Sequence, residues 1–323
     1  MFLWVEIQRK RTKIYNKKIM ELAESKKCIF PISQDTFLEV LKQQDKETLK
    51  ETARLIDFLS KGVSLISREE RIALEISHFI YELNELEIYE RKEMVWTKLT
   101  YAMGFTTPTN DWIDKTLDEV IQKAFIDQMW SISLLDMIEF MEKNGDSLAR
   151  KSYRPSNRAD LLNRGKFDHV DENKTFQEMF LTELVGILDV YKDQFSYFMA
   201  KLYEKKTSNI VTSHEFNNTG YESDLFNMIC NMFKFGKAKD RLPTLVILSG
   251  LHAVTRWDKE RKFKNNDGHD FNHAASALPY ADYFFTEKSL THLITQKLTE
   301  YDKIYSCNVQ STIKGAYNSI SEI

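Results

Sequence analysis

Short apolar runs that read as β-strands alternate with helical stretches at both ends of this chain, and the long section between them carries helix-like spacing alone. Strands separated by helices imply parallel pairing, because a parallel neighbour is reached only through a crossover, usually helical. Residues 10–26 carry a helical stripe of Ile14, Ile19, Leu22 and Ala23. Lys27-Cys-Ile-Phe-Pro-Ile-Ser33 then forms a compact apolar run bounded by polar residues and reads as a buried strand. Ser33 suits the N-cap of a helix holding Phe37, Leu38, Val40 and Leu41. A helix over residues 47–59 stops at Lys61-Gly62, where glycine supplies the left-handed residue on which helices often finish. Ser67-Arg-Glu-Glu70 has the capping-box pattern and opens a further helix through Leu83.

Residues 91–235 read as an all-helical insertion, with long amphipathic stretches over 117–141 and 176–203. Between these, residues 144–173 are polar and contain Pro155, as expected of a surface crossing. The last portion returns to mixed character. Residues 242–252 fit a buried helix or a buried strand, since periodicity does not separate the two in so apolar a run. A basic loop follows at 256–264, then a small-residue helix over 271–278 ending at Pro279, then strands at 282–286 and 303–309. The expectation is an α/β core built from residues 1–90 and 236–323, interrupted by the helical insertion 91–235.

Charge narrows the function classes. Lys plus Arg number 45 and Asp plus Glu 48, a net charge of -3, so no global basic field advertises nucleic-acid binding. Contact with a nucleic acid has to come from a local patch, and Arg256, Lys259, Arg261, Lys262 and Lys264 form one candidate. Arg9, Lys10, Arg11 and Lys13 form a second; each run equally suits a solvated face. Cys28, Cys230 and Cys307 show no paired spacing, which argues against a disulfide framework or zinc ribbon and fits a reducing cytoplasm. The N-terminal apolar residues precede the charges, the reverse of a signal peptide. Residues 242–254 are too few to span a bilayer, so no membrane is expected.

Four carboxylates, Asp267, Asp270, Asp282 and Glu287, fall within one helix–strand unit. Asp270 is also well placed as a helix N-cap, Asp267 as a turn residue before Gly268, and the other two as loop charges. Glu39 sits among Phe37, Leu38, Val40 and Leu41, where an isolated carboxylate must find a crevice, a partner, a metal or an exposed helix face. Grouped carboxylates repel one another unless cations neutralise them, and hard oxygen ligands suit Mg²⁺ or Mn²⁺. His269 and His273 have zinc-ligand spacing but no third ligand completes that motif, so they read as supporting or packing residues. His252, in an apolar run, reads as a core histidine. The chain has no Gly-rich phosphate loop.

Several of these pieces carry a family resemblance. Ile29-Phe-Pro-Ile-Ser-Gln-Asp-Thr-Phe-Leu-Glu-Val-Leu41, Leu59-Ser-Lys-Gly62, Leu251 through Lys264, and above all Asp267 through Leu290 with its Asp-Phe-x-His-Ala-Ala-x-Ala-Leu-Pro-Tyr-x-Asp core resemble a bacterial PIN-like domain nuclease. The resemblance covers both ends of the chain and not its helical middle. It implies a PIN-like three-layer core around a central parallel sheet. It also implies a hydrolase, a metal-dependent ribonuclease that is often the toxin of a toxin–antitoxin or defence system, with RNA as substrate and an antitoxin or defence protein as partner. Glu39 matches the family's early acidic position, Asp270 the Asp opening a late helix, and Thr286-Glu287 the acid after a Thr-ended strand, with Asp282 close by and Asp267 as a further ligand. The family's first position, an Asp-x-Asn ending the first strand, has no match here. Either that strand is missing, or Phe2 to Ile7 is the strand and Glu6 stands in for the Asp. The rival expectation is a catalytically inactive PIN-like scaffold that binds RNA or a partner protein.

Overall fold

The computed structural model describes residues 13–83, 89–104, 113–144, 158–169, 172–191, 203–204, 221–238 and 240–323. The run Phe2–Ile7 with Glu6, and the basic residues Arg9, Lys10 and Arg11, lie outside the described residues. In chain order the helices are α1 (Lys13–Glu24), α2 (Gln34–Val40), α3 (Lys46–Ser60), α4 (Arg68–Leu83), α5 (Arg91–Met94), α6 (Leu99–Ala102), α7 (Lys115–Ser131) and α8 (Leu134–Lys143). They continue as α9 (Arg158–Asp168), α10 (Phe176–Val190), α11 (Tyr221–Lys234), α12 (Pro243–Trp257), α13 (Asp267–Ala277), α14 (Lys288–Thr295), α15 (Tyr301–Ile304) and α16 (Ile313–Ser321). The strands are β1 (Val63–Leu65), β2 (Trp96–Lys98), β3 (Tyr283–Phe285) and β4 (Asn308–Gln310).

The expected α/β core with a central parallel sheet is not what these residues form. Each strand has three residues, and they pair as two separate two-stranded sheets, β1–β2 antiparallel and β3–β4 parallel. The run Lys27–Ser33 yields a single parallel bridge, Ile32 to Ser64, rather than a strand. Pro31 lies within it and has no N–H to donate, which cuts a ladder short. Strand β2 falls inside the section expected to be wholly helical, and its antiparallel register with β1 (Ser64 opposite Thr97) gives β1 a partner that parallel pairing did not anticipate. The expected crossing at 144–173 contains α9.

Helices supply the layers instead. In α12 every residue but His252, Arg256 and Trp257 is buried, as expected of a helix that is apolar all round. Pro243 at its first turn settles the ambiguity of residues 242–252 in favour of helix, since proline's fixed φ and missing N–H suit that position. Around α12 pack Ile76 and Phe79 of α4, Leu184 and Leu188 of α10, Leu225 and Ile229 of α11, Phe271 and Ala274 of α13, and Leu290 and Leu293 of α14. At Gly250 the absence of a side chain lets Tyr301 approach until its hydroxyl donates to the Val246 carbonyl (2.9 Å); a Cβ there would meet that hydroxyl at 1.6 Å. Glu75, fully buried in α4, accepts from the Thr244 amide (2.9 Å), the Thr244 hydroxyl (2.5 Å) and the Tyr280 hydroxyl (2.6 Å), tying α4 to the first turn of α12. Smaller cores join α2, α3 and α8 through Phe37, Leu49, Ile56 and Ile138, and α1, α3 and α16 through Ile19, Leu59 and Ile320.

Local signals in the sequence place the helix starts well. Ser33 caps α2 by accepting from the Thr36 amide (3.2 Å). Ser67 and Glu70 form the reciprocal pair of a capping box, 2.9 and 3.2 Å. Helix α3 ends with Lys61 and Gly62 both left-handed, φ 52° and 71°.

Candidate functional site

Two helices meet through side chains spaced four apart on each. Helix α2 presents Asp35 and Glu39, and α13 presents His269 and His273; residues at that spacing share one helix face. His269 Nδ1 lies 3.5 Å from Asp35 Oδ1, and His273 Nε2 lies 3.2 Å from Glu39 Oε2. Asn272 donates to Asp35 Oδ1 (3.0 Å) and accepts from Arg68 Nη1 (3.1 Å), so α4 joins the same seam. Lys42 Nζ stands 3.4 Å from His269 Nε2. Burial pushes the Asp35 and Glu39 carboxyls up, but hydrogen bonds and the charge of the facing histidines outweigh it, and both end below their ordinary values.

Asp270 is in a different situation. The helix begins at Asp267 with Asn266 as its N-cap, one turn earlier than expected, so Asp270 is not the cap and its carboxylate is left for other work. Burial, then the negative charge of Glu287, raises its pKa from 3.8 to about 6; His273 opposes this, while Glu39 and Asp267 add to it. Glu287 is the N-cap of α14 without a side-chain capping bond. Asp270, Glu39, Glu287, His273 and Thr286 all line a cavity of about 1160 Å³ whose remaining wall includes Tyr15, Ile19, Ile56, Leu59 and Ile320. Asp270 of α13 therefore shares this wall with Glu39 of α2 and Glu287 at the start of α14, and feels the negative charge of both.

The other expected site residues separate from that group. Asp267, 4% exposed, is bound by Arg261 through both nitrogens (3.0 and 3.1 Å) and by the Lys264 amide (3.0 Å). A carboxylate so occupied is a structural ion pair. Asp282 lines the same cavity but at the far end of β3; five residues of extended chain put it ~16 Å along the strand from Glu287. Its charge is felt instead by Cys28 and Cys307, whose thiols burial pushes up, Cys307 to about 12. Among the described residues, no group of three or more His, Cys, Asp or Glu side chains is arranged to hold a metal ion directly.

The basic loop divides in the same manner. Arg256 is committed to Glu183 of α10 (2.5 Å), and Arg261 to Asp267. Lys259, Lys262 and Lys264 are exposed. The loop itself is clamped by α9: Lys166 Nζ donates to the carbonyls of Thr255 (3.0 Å), Asp258 and Arg261 (2.6 Å), and Asn163 exchanges two bonds with the Phe263 backbone, 2.8 and 3.0 Å. His252 is the core histidine expected: it packs edge-on to Phe271 (5.1 Å) and beside Phe263 (5.6 Å), and burial depresses its pKa to about 4.

Sequence reasoning missed Asp35, Asn272, Arg68 and Lys42. The signal for the first was available: Asp35/Glu39 and His269/His273 are matched four-residue spacings of opposite charge type. Among the described residues, no helix is long and apolar enough to cross a membrane. No protein-family model matches the chain, and neither a curated protein nor a solved structure does.

Proposed function

We propose that the chain is a metal-dependent phosphodiesterase that hydrolyses RNA, with Asp270 and Glu287 as the principal ligands of Mg²⁺ or Mn²⁺ and Glu39 beside them. The observation that carries this reading is that Asp270 shares one cavity wall with Glu39 and Glu287 and feels the negative charge of both, which His273 opposes. Their mutual repulsion is what a cation would relieve. Mg²⁺ keeps several waters and is commonly held by one or two carboxylates plus substrate phosphate, so this donor set fits it without three converging ligands. When bound, such an ion polarises a phosphate oxygen and lowers the pKa of a coordinated water. His273 fixes Glu39 in orientation, and Lys259, Lys262 and Lys264 offer cations to a phosphate backbone. A toxin or defence role, with an antitoxin as partner, rests on the resemblance of Asp267–Leu290; unpaired cysteine spacing supports action in the cytoplasm.

A second reading, an RNA- or protein-binding scaffold without catalysis, is favoured by the commitment of Glu39 to His273 and of Asp267 to Arg261. One assay separates them: cleavage of single-stranded RNA with Mg²⁺ by the wild type and by Asp270→Asn. Cleavage lost in the variant and in excess chelator supports the hydrolase. Equal cleavage by both sinks the assigned site. Binding without cleavage by the wild type favours the scaffold.

A further inference from the structure

Helix α11 ends in a turn that is held from both sides. Leu225, Ile229 and Phe233 bury one face of the helix in the core around α12, and Ala238, fully buried, anchors the chain just beyond it. Between these anchors the helix closes with the two bonds of a left-handed glycine cap. The Lys237 amide donates to the Met232 carbonyl (2.8 Å) and the Gly236 amide to the Phe233 carbonyl (3.1 Å), with Gly236 at φ 70°. Arg91 then fixes the way out, donating to the carbonyls of Asp240 and Arg241 at 2.8 Å each.

What this turn presents is one ring between two cations. Phe235 is 68% exposed, and Lys234 and Lys237 on either side of it are exposed as well. A lysine in the last turn of a helix suits the helix dipole, and a lone exposed apolar side chain is common, so neither feature by itself calls for a ligand. Together, and with no opposing charge, they do. No acidic residue occurs between Asp224 and Asp240, and among the described residues neither lysine is paired with a carboxylate. In a chain of net charge -3 this turn is a local positive field with an aromatic face at its centre. None of the three residues lines the cavity that holds Asp270.

We propose that this turn binds single-stranded nucleic acid, with one base stacked on Phe235 and the phosphates beside it held by Lys234 and Lys237. The proposal deepens the RNA reading above and rests on it for the class of ligand. Every base has a face to stack on an aromatic ring, and cations next to the ring track the backbone. A turn anchored at both ends has little freedom to lose on contact. An anionic bilayer is the less suited partner, because one ring offers far less apolar area than the amphipathic face that seats a helix in a membrane interface.

The test is binding of a fluorescent uridine oligonucleotide to the full chain, read by anisotropy in chelator so that cleavage plays no part. Phe235→Ala should bind about 10-fold more weakly with its salt dependence unchanged, and Phe235→Trp should keep the wild-type affinity. Replacing Lys234 and Lys237 together by Ala should lower the slope of log affinity against log salt by about 1.4. Equal binding by the wild type and Phe235→Ala overturns the proposal, and so does a wild type that does not bind. Capture by phosphatidylserine vesicles that depends on Phe235, with RNA binding unaffected by the same change, overturns it in favour of a membrane surface. The hydrolase reading fails separately, on cleavage by Asp270→Asn.

Discussion

Replacing Asp270 by Asn should make the protein more stable near neutral pH while removing the site's function. In the folded chain Asp270 titrates at about 6 against an ordinary 3.8, because burial and Glu287 disfavour its charge. Between those two values the folded chain keeps a proton that the unfolded chain has released, so unfolding becomes easier as pH rises through that window. A shift of about two units corresponds to at most ~3 kcal/mol of destabilisation once both states are ionised. Asp270 is partly exposed, and solvent screening brings the expected gain for Asp270→Asn to ~1–2 kcal/mol. Urea unfolding of both proteins from about pH 4 to about pH 8 reads this directly. The two should coincide at the acid end, diverge through about pH 6 and differ by a constant amount above about pH 7. Added Mg²⁺ should then raise the wild-type midpoint and leave the variant's in place. A variant equally or less stable at neutral pH, or a difference that does not change with pH, would refute the account of a carboxylate crowded by its neighbours.

Arg261→Ala strips the partner from a buried carboxylate and should cost about 3 kcal/mol in urea unfolding, with partial recovery in Arg261→Ala/Asp267→Asn. Gly250→Ala, which in an open helix would stabilise, should instead lower stability by ~1–3 kcal/mol, because the new Cβ meets the Tyr301 hydroxyl; a higher midpoint would show that α12 and Tyr301 can move apart. Joint replacement of Lys259, Lys262 and Lys264 by Ala should weaken RNA binding and flatten its salt dependence without altering stability, as measured by titration at several salt concentrations and by a thermal melt.

What could be read from the sequence was mostly local. Ser33, Ser67 with Glu70, and Lys61-Gly62 mark helix ends because their effect depends on atoms within a few residues. Pro243 carried a usable sign of helix that the apolar run around it concealed. The fold class was not legible, since a strand exists only if a partner pairs with it. Lys27–Ser33 has strand-like composition but makes one bridge, whereas Trp96-Thr-Lys98 pairs with β1 from within a section of helical character. At the site, spacing brought Glu39, Asp270 and Glu287 into consideration, and the structure brings them to one cavity. Spacing could not tell that Asp267 would be taken by Arg261, or that Asp282 and Glu287 stand at opposite ends of β3. Those outcomes depend on which neighbour wins a carboxylate.

The clamp of α9 on the basic loop ties two distant stretches of chain into one heritable unit. Asn163 and Lys166 hold the backbone of residues 255–263 with five hydrogen bonds, so neither stretch can be shortened, swapped or redesigned by itself. An engineer who excised residues 91–235 would also release the loop that presents Lys259, Lys262 and Lys264. A loop cast in place in this way meets its ligand ready-shaped, with little ordering left to do on contact.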